Sequence, residues 1–285
     1  TAPGPPPAER QPEREADLAR LFGGLPVALV RAPTALWEAA LTTGEGAAPL
    51  RPVVRQALQI IEAEEIVAVL LTDEYGGSLR GIRLPMLVLA VPSPGPAPAQ
   101  ENMTRLLDQL NRRWGWGLVP GPLPERTSGL PPAFSIEATT GGFYGGLPPA
   151  ERVAYAVTPH WMLLASNAKG LTALLRRYPT PAAEANARHA PWTAHQPGQP
   201  PLGPAWAAWP RVAQAGRQAL GAYMLKLLFE DPEGSRLARV RLQTAQDWLQ
   251  TLAPLGTGRL HLTGDARWQV TFRMQSELET ERAAE

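Results

Sequence analysis

The clearest pattern of apolar and polar positions lies in residues 152–177, where a β-hairpin is predicted to run directly into a helix. Large apolar residues alternate with small or polar ones, which is the period of a half-buried strand. A two-residue loop at Pro159-His160 places four large side chains on one face of the hairpin. The two cross-strand pairs that this register predicts are Val157–Met162 and Tyr155–Leu164.

Helical periodicity predicts several further elements. Ser166 or Asn167 is expected to cap the helix after the hairpin, and Thr34 to cap a short helix that contains Trp37. The predicted helices cover residues 14–22, 34–41, 50–65, 100–114, 168–178, 209–229 and 235–252. Because the four-residue turn Asp231-Pro232-Glu233-Gly234 joins the last two, we expect a C-terminal antiparallel αα-hairpin.

Short apolar runs predict the strands. They cover residues 26–31, 84–91, 116–119 and 133–138, while residues 64–71 are compatible with either helix or strand. In the closing hairpin, 258–278, a three-residue loop with a bulge keeps the large side chains on one face by pairing Leu262 with Trp268. Local hairpins and paired helices favour an α+β fold with an antiparallel sheet packed against amphipathic helices.

Proline-rich stretches divide the chain. Residues 1–13 are predicted to be a disordered tether and residues 14–178 an α+β domain. Residues 179–210 carry eight prolines and read as a surface excursion or linker. The αα-hairpin and the β-hairpin of residues 211–285 then complete the same layer or form a second one.

Composition narrows the range of functions. The formal net charge of +1 argues against nucleic acid as the main partner, because such binding needs a concentrated basic surface. No run of 18 uninterrupted apolar residues is present, so no transmembrane segment is predicted. The absence of cysteine excludes disulfides, thiolate catalysis and Cys-ligated metals.

The compartment is predicted from weaker signals. The chain starts with TAPGPPPAERQPERE rather than with Met, which is typical of a mature protein after removal of a signal or anchor, and equally of a trimmed chain. A protein without cysteine suits an oxidising bacterial periplasm. We therefore expect a periplasmic or otherwise extracytoplasmic location, with membrane association through the N-terminus left open.

Three segments together resemble a known group. They are the early PVALVRAPTALWEAAL, the hairpin and helix YAVTPHWMLLASNAKGLTALL, and the closing strand pair GRLHLTGDARWQVTFRM. By pattern rather than by a fixed motif, residues 25–275 resemble the DUF3352-type bacterial envelope proteins. The resemblance implies an extracytoplasmic α+β module without assigned activity, and it carries over no catalytic residue.

No catalytic, cofactor or metal motif emerges from the sequence. The four histidines lack the spacings of a zinc site, and no G-x-S-x-G serine elbow is present. His189 and His195, six residues apart in a Pro-rich stretch, are best read as solvated. Paired carboxylates for hydrolysis have one candidate group, namely Glu62, Glu64, Glu65, Asp73 and Glu74.

Aromatic residues outside the periodic segments are the candidates for partner contact. Trp192 and Trp206 fall in predicted loops, and Trp116, the first residue of the candidate strand 116–119, is grouped with them as a loop residue. The other tryptophans lie on apolar stripes and are expected in the core. Phe143 and Tyr144 lie in the sequence GGFYGG, which lacks the Lys-Ser/Thr pair of a phosphate-binding loop.

Three functions are compatible with these observations. The first is a non-catalytic envelope protein that acts as an interaction or accessory subunit of a larger, membrane-bound assembly, with protein partners. The second is a binding module for a small apolar or glycan ligand, which predicts an apolar pocket lined by loop tryptophans. The third is a carboxylate-dependent hydrolase, which predicts that the acidic group converges in a cleft.

Overall fold

The structure is a computed structural model of the 285-residue chain. It confirms an α+β fold in which amphipathic helices pack on antiparallel strands. The residues that the structure describes are 7–23, 26–42, 51–72, 74–79, 82–83, 85–93, 95–123, 130–140, 146–178, 205–230, 243–244, 247, 251, 257–262 and 268–273.

The elements are numbered in chain order. The helices are α1 (Pro7–Phe22), α2 (Thr34–Thr42), α3 (Arg51–Ile61), α4 (Pro96–Trp114), α5 (Ala168–Arg177) and α6 (Trp209–Glu230), with a 3₁₀ turn at Pro149–Glu151. The strands are β1 (Pro26–Pro33), β2 (Glu65–Leu71), β3 (Ser78–Leu79), β4 (Ile82–Arg83), β5 (Met86–Pro92), β6 (Leu118–Pro122), β7 (Ala133–Ala138), β8 (Ala154–Val157), β9 (Trp161–Ala165), β10 (Ala205–Ala208), β11 (Thr257–Leu262) and β12 (Trp268–Arg273).

The chain divides into two compact units, both built from separate stretches of sequence. The first contains Thr1–Gly24, Arg31–Val69 and Leu87–Ala194, and the second contains Leu25–Val30, Leu70–Met86 and His195–Glu285. The change of unit after Ala194 falls within the proline-rich stretch predicted at 179–210. The sequence predicted one continuous domain over residues 14–178, but its segments Leu25–Val30 and Leu70–Met86 belong to the second unit.

The first unit is built on strands in the order β2-β5-β9-β8-β7-β6. The β8–β9 hairpin has the predicted register, with Tyr155 opposite Leu164 and Val157 opposite Met162. Asn167, one of the two predicted caps, accepts a hydrogen bond from the Gly170 N–H at the start of α5 (2.6 Å). Strand β5, the most apolar run of the chain, lies between β2 and β9 as its composition predicts.

Both faces of this sheet are covered by helices. The four paired side chains of the hairpin share a cluster with residues of α3 and α4, including Met103 and Leu107. Ala154 and Ala156 alternate with them and so face the opposite side, where α5 contacts β8 and β9 and α1 contacts α5. Both alanines are fully buried, as is Trp161 at the start of β9.

A buried carboxylate of helix α1 bonds to residues on the side of the sheet that α5 covers. Asp17 is 1% exposed and accepts hydrogen bonds from the Thr158 hydroxyl (2.9 Å) and from the Tyr178 hydroxyl. The indole Nε1 of Trp161 donates to the Arg14 carbonyl of α1 (3.0 Å). A buried carboxylate is costly unless it is hydrogen-bonded, and both of its oxygens are satisfied here.

An ion-pair network ties α1 to the strands. The Arg31 guanidinium donates two hydrogen bonds to the Glu65 carboxylate (2.7 and 2.6 Å) and a third to Glu15 of α1. Burial by itself would lower the pKa of Arg31, but the two carboxylates more than offset this and raise it. Arg31 therefore remains charged and links α1, β1 and β2.

The second unit pairs strands that are distant in sequence. Strand β1 pairs with β10, β10 with β11 and β11 with β12, all antiparallel, and α6 contacts β10 and β4. Leu262 lies opposite Trp268, so the predicted register of the closing hairpin is confirmed. Its loop, residues 263–267, lies outside the described residues.

Several sequence-based boundaries need correction. Helix α1 begins at Pro7, so the predicted tether of residues 1–13 extends too far into a helix. Residues 205–208, assigned to the linker, form β10, because the short run AWAA gains pairing partners on both sides. The ambiguous run that ends at Leu71 is strand β2. Most of the second helix of the predicted αα-hairpin, 235–252, lies outside the described residues.

Two further details concern the ends of helices in the first unit. The hydroxyl of Thr34, the predicted cap, donates to the carbonyl of Ala63, two residues after α3. Helix α3 ends at Ile61, four residues before the predicted limit, and Glu62 follows with a positive φ of 50°.

Strand β6 ends the row of described strands, and its outward edge is closed. The Gly117 carbonyl accepts from the Thr139 N–H, so the backbone groups of alternate residues 117, 119 and 121 face β7. The outward positions are therefore Leu118, Pro120 and Pro122. The Asn111 side chain bonds both backbone groups of Leu118, and the two prolines have no N–H to offer.

We predict that the double variant Pro120→Thr/Pro122→Thr self-associates, because it restores two outward N–H groups that can pair with another chain. Sedimentation velocity at increasing protein concentration measures this. Val119→Thr is the matched control, since its N–H already faces β7. A double variant that sediments like the wild type would show that the prolines do not prevent strand pairing at this edge.

We predict that Tyr178→Phe lowers the free energy of unfolding by about 1–3 kcal/mol near neutral pH, because it removes a donor from the buried Asp17 carboxylate. Burial, and then the hydrogen bond to Asp17, raise the pKa of Tyr178; burial raises the pKa of Tyr155 to about 12.

Because the folded pKa values are higher, the stabilisation from these tyrosines is complete below about pH 10 and is lost as the pH rises further. Urea unfolding at pH 7 and pH 11 should therefore show a smaller alkaline loss for Tyr178→Phe than for the wild type. Thr158→Ser, which keeps the second hydroxyl, is the control. An equal alkaline loss in both proteins would refute the assignment to Tyr178.

Candidate contact site at Trp116

Trp116 lies in a short loop between α4 and β6, and its side chain is 46% exposed. It is the predicted contact residue whose side chain the structure describes. Large aromatic side chains are normally buried, so a tryptophan exposed to this degree is a feature to be explained.

The loop backbone is held on both sides. The Gly115 N–H donates to the Asn111 carbonyl (2.7 Å), which closes α4 with a left-handed cap. The Thr139 N–H and hydroxyl both donate to the Gly117 carbonyl (3.0 Å each), and the Thr140 hydroxyl contacts the carbonyls of Gly115 and Trp116. Every carbonyl of the three-residue loop is therefore engaged.

The glycines that flank Trp116 are required for different reasons. Gly115 has φ +67° and Gly117 has φ +60°, a region that other residues adopt only with strain. A Cβ at Gly115 would meet no atom within 4 Å, whereas a Cβ at Gly117 would lie 2.1 Å from the Thr139 hydroxyl oxygen. Gly117 is thus needed for close packing as well as for its conformation.

Trp116 is also supported through its ring. Its centroid lies 4.6 Å from that of Trp114, with 18° between the planes, which is a stacked pair. Trp114 is the last residue of α4 and is half-buried. The stack and the backbone contacts together fix the orientation of an exposed aromatic surface, which reduces the conformational entropy lost on binding.

Positive charge adjoins this pair in sequence. Arg112 and Arg113 occupy the last turn of α4 and are exposed. Within the part of the chain that the structure describes, neither guanidinium is in an ion pair. By contrast, Arg152, which lies just before β8, forms an ion pair with Glu137 of β7 (3.6 Å) and donates to the Leu147 carbonyl.

The other predicted contact residues are not brought to this site. Trp206 was predicted in a loop, but it lies in β10, paired with Leu29 and Arg259. Trp192, Phe143 and Tyr144 lie outside the described residues.

Four members of the acidic group predicted for hydrolysis lie in the described part of the chain. The Glu65 carboxylate is occupied by Arg31, while Glu62, Glu64 and Glu74 are exposed. Asp73 lies outside the described residues. No group of His, Asp or Glu side chains suited to a metal ion occurs in the described ranges. His160 lies 3.9 Å from the Glu13 carboxylate.

Sequence reasoning found Trp116 but missed the residues that hold it. Asn111 reads as an ordinary polar position of a helix, and Thr139 and Thr140 read as the end of a strand. The G-W-G triplet directly after a helix was the available signal, because glycines on both sides of an aromatic residue indicate a strained turn.

Comparison with known proteins adds little. No family model and no curated protein matches the chain. A solved structure described as "Structure of crystal form III of TP0453" aligns over 90% of this chain and 78% of its own, at 12% identity and a TM-score of 0.38. The similarity to DUF3352-type proteins stays a prediction. No described helix is long and apolar enough to cross a membrane.

We predict that Gly117→Ala lowers the free energy of unfolding by about 2–4 kcal/mol, since it adds a clash with Thr139 to the cost of a positive φ. Gly115→Ala, which meets open space, should cost only about 1 kcal/mol. Chemical denaturation of both variants measures the difference. Equal losses would mean that the contact with Thr139 does not constrain the loop.

Proposed function

We propose that this protein is a non-catalytic interaction protein of the bacterial envelope, an accessory subunit that binds a protein partner through the surface around Trp116. The observation that carries the proposal is the fixed exposure of Trp116. Tryptophan and arginine are the residue types that most often dominate binding energy at protein interfaces, and both occur here.

The number of contacts that fix the position of Trp116 supports a binding role. Two glycines, two threonines and a stacked tryptophan position a side chain that contributes little to the core. A preorganised aromatic residue loses less freedom on association than a mobile one, so the arrangement favours affinity.

The closed edge of β6 indicates how the partner binds. An extended peptide cannot pair with this edge as an added strand, because its outward N–H groups are either absent or already bonded to Asn111. Contact through side chains is the remaining mode at this end of the sheet. The partner is therefore expected to present a preformed surface to Trp116.

The described carboxylates support binding over hydrolysis. Among them, Glu65 and Glu15 form ion pairs with Arg31. The Asp17 carboxylate accepts hydrogen bonds from two hydroxyl groups. All three carboxylates therefore stabilise the fold. The envelope location rests on the resemblance to DUF3352-type proteins and on a composition without cysteine. Both parts of the proposal are open to the same experiment.

We predict that a photo-crosslinking amino acid, p-benzoylphenylalanine, placed at position 116 in the native bacterium yields one discrete adduct in the envelope fraction. The matched control places the same group at Leu36 of α2, which is 55% exposed. Gel mobility and mass spectrometry identify the adduct.

A discrete protein adduct at position 116, absent at position 36, supports the proposal. No adduct at 116, or the same set of adducts at both positions, would refute the contact role of Trp116. An adduct found only in the cytosolic fraction would refute the envelope location while leaving the interaction role in place.

A further inference from the structure

Trp116 follows two exposed, positively charged residues at the end of α4. Arg113 and Arg112 precede Trp116 by three and four residues and are exposed in the last turn of α4. The carbonyl end of α4 has its own partial negative charge, which a basic residue offsets in part. The last turn therefore carries two exposed guanidinium groups, with one exposed carboxylate, Asp108, in the turn before it.

The polar side chains next to Trp116 already form hydrogen bonds with backbone groups of the protein. Asn111 bonds to Leu118, Thr139 to Gly117, and Thr140 to Gly115 and Trp116. A sugar-binding site needs fixed polar groups that meet the ligand's hydroxyls, and these three are occupied by the backbone. Ring stacking and charge remain available, and both suit a protein surface.

Arginine chemistry specifies the complementary group. A guanidinium matches a carboxylate with two parallel hydrogen bonds, whereas it repels another cation. Since the β6 edge offers no free outward N–H, main-chain pairing contributes little to recognition of an extended segment. The specificity must come from side chains that carry negative charge beside an apolar group.

We propose that the partner presents an acidic polypeptide segment, in which one apolar side chain packs on Trp116 while neighbouring carboxylates pair with Arg112 and Arg113. This inference rests on the proposed function and names the chemistry of its partner. An acidic segment also explains why these two arginines are left exposed, whereas Arg31 and Arg152 are neutralised within the fold.

The test uses the full chain with 5-fluorotryptophan at its nine tryptophans and follows ¹⁹F resonances during titration. The Trp116 resonance is assigned by its loss in Trp116→Phe. The probes are the peptide (GEELGE)₃, the same peptide with Lys for Glu, and polygalacturonate as a carboxylate polymer without peptide. Trp161, which is fully buried, is the internal reference.

We predict that the acidic peptide shifts the Trp116 resonance in a saturable, salt-sensitive manner, and that Arg112→Gln and Arg113→Gln each weaken binding about two- to fivefold at low salt. Arg176→Gln removes an exposed arginine from the last turn of α5 and is the matched control for charge at a helix end. It should leave the titration unchanged.

Three results would overturn the inference: no shift with the acidic peptide, an equal shift with the lysine peptide, or an equal response to polygalacturonate. The two proposals fail separately. A partner crosslinked at position 116 together with no effect of the acidic peptide refutes the acidic segment alone. Loss of the specific crosslink refutes the contact role itself.

Discussion

The two hydrogen bonds between the Asn111 side chain and the backbone of Leu118 couple the end of helix α4 to the end of the sheet. One amide group takes the place of a neighbouring strand, since it satisfies both outward backbone groups of Leu118. It also sets the distance that the loop at Trp116 must span. The link closes the edge at Leu118, as the two prolines do further along, and the loop of Gly115, Trp116 and Gly117 runs between the two residues that it joins.

Much of the first unit was predictable because strand periodicity leaves few alternatives. A shift of one residue would have moved Tyr155, Val157, Met162 and Leu164 off their common face, so parity alone settled the β8–β9 register, and it did the same for Leu262 and Trp268. Tertiary pairing was not predictable in the same way. Strand β10 is four residues long and becomes a strand only between β1 and β11, neither of which is close in sequence.

The candidate site was likewise predictable only in part. The exposure of Trp116 followed from its position outside every apolar stripe, whereas Asn111, Thr139 and Thr140 act through contacts between elements that local sequence does not show. The buried Asp17 was equally hidden, because its donors Thr158 and Tyr178 lie 141 and 161 residues away. An aspartate in an amphipathic helix ordinarily faces solvent.

The interleaving of the two units has a consequence during synthesis. Ala28 of β1 pairs with Ala207 of β10, which is 207 − 28 = 179 residues later in the chain. A ribosome that adds about 5–20 residues per second needs roughly 10–35 s to make that stretch. For this time the apolar run PVALV has no β10 to pair with. The strand pairing of the second unit therefore cannot be completed before β10, β11 and β12 have been synthesised, and a nascent chain stalled before residue 205 would leave one edge of β1 unpaired and open to chaperones.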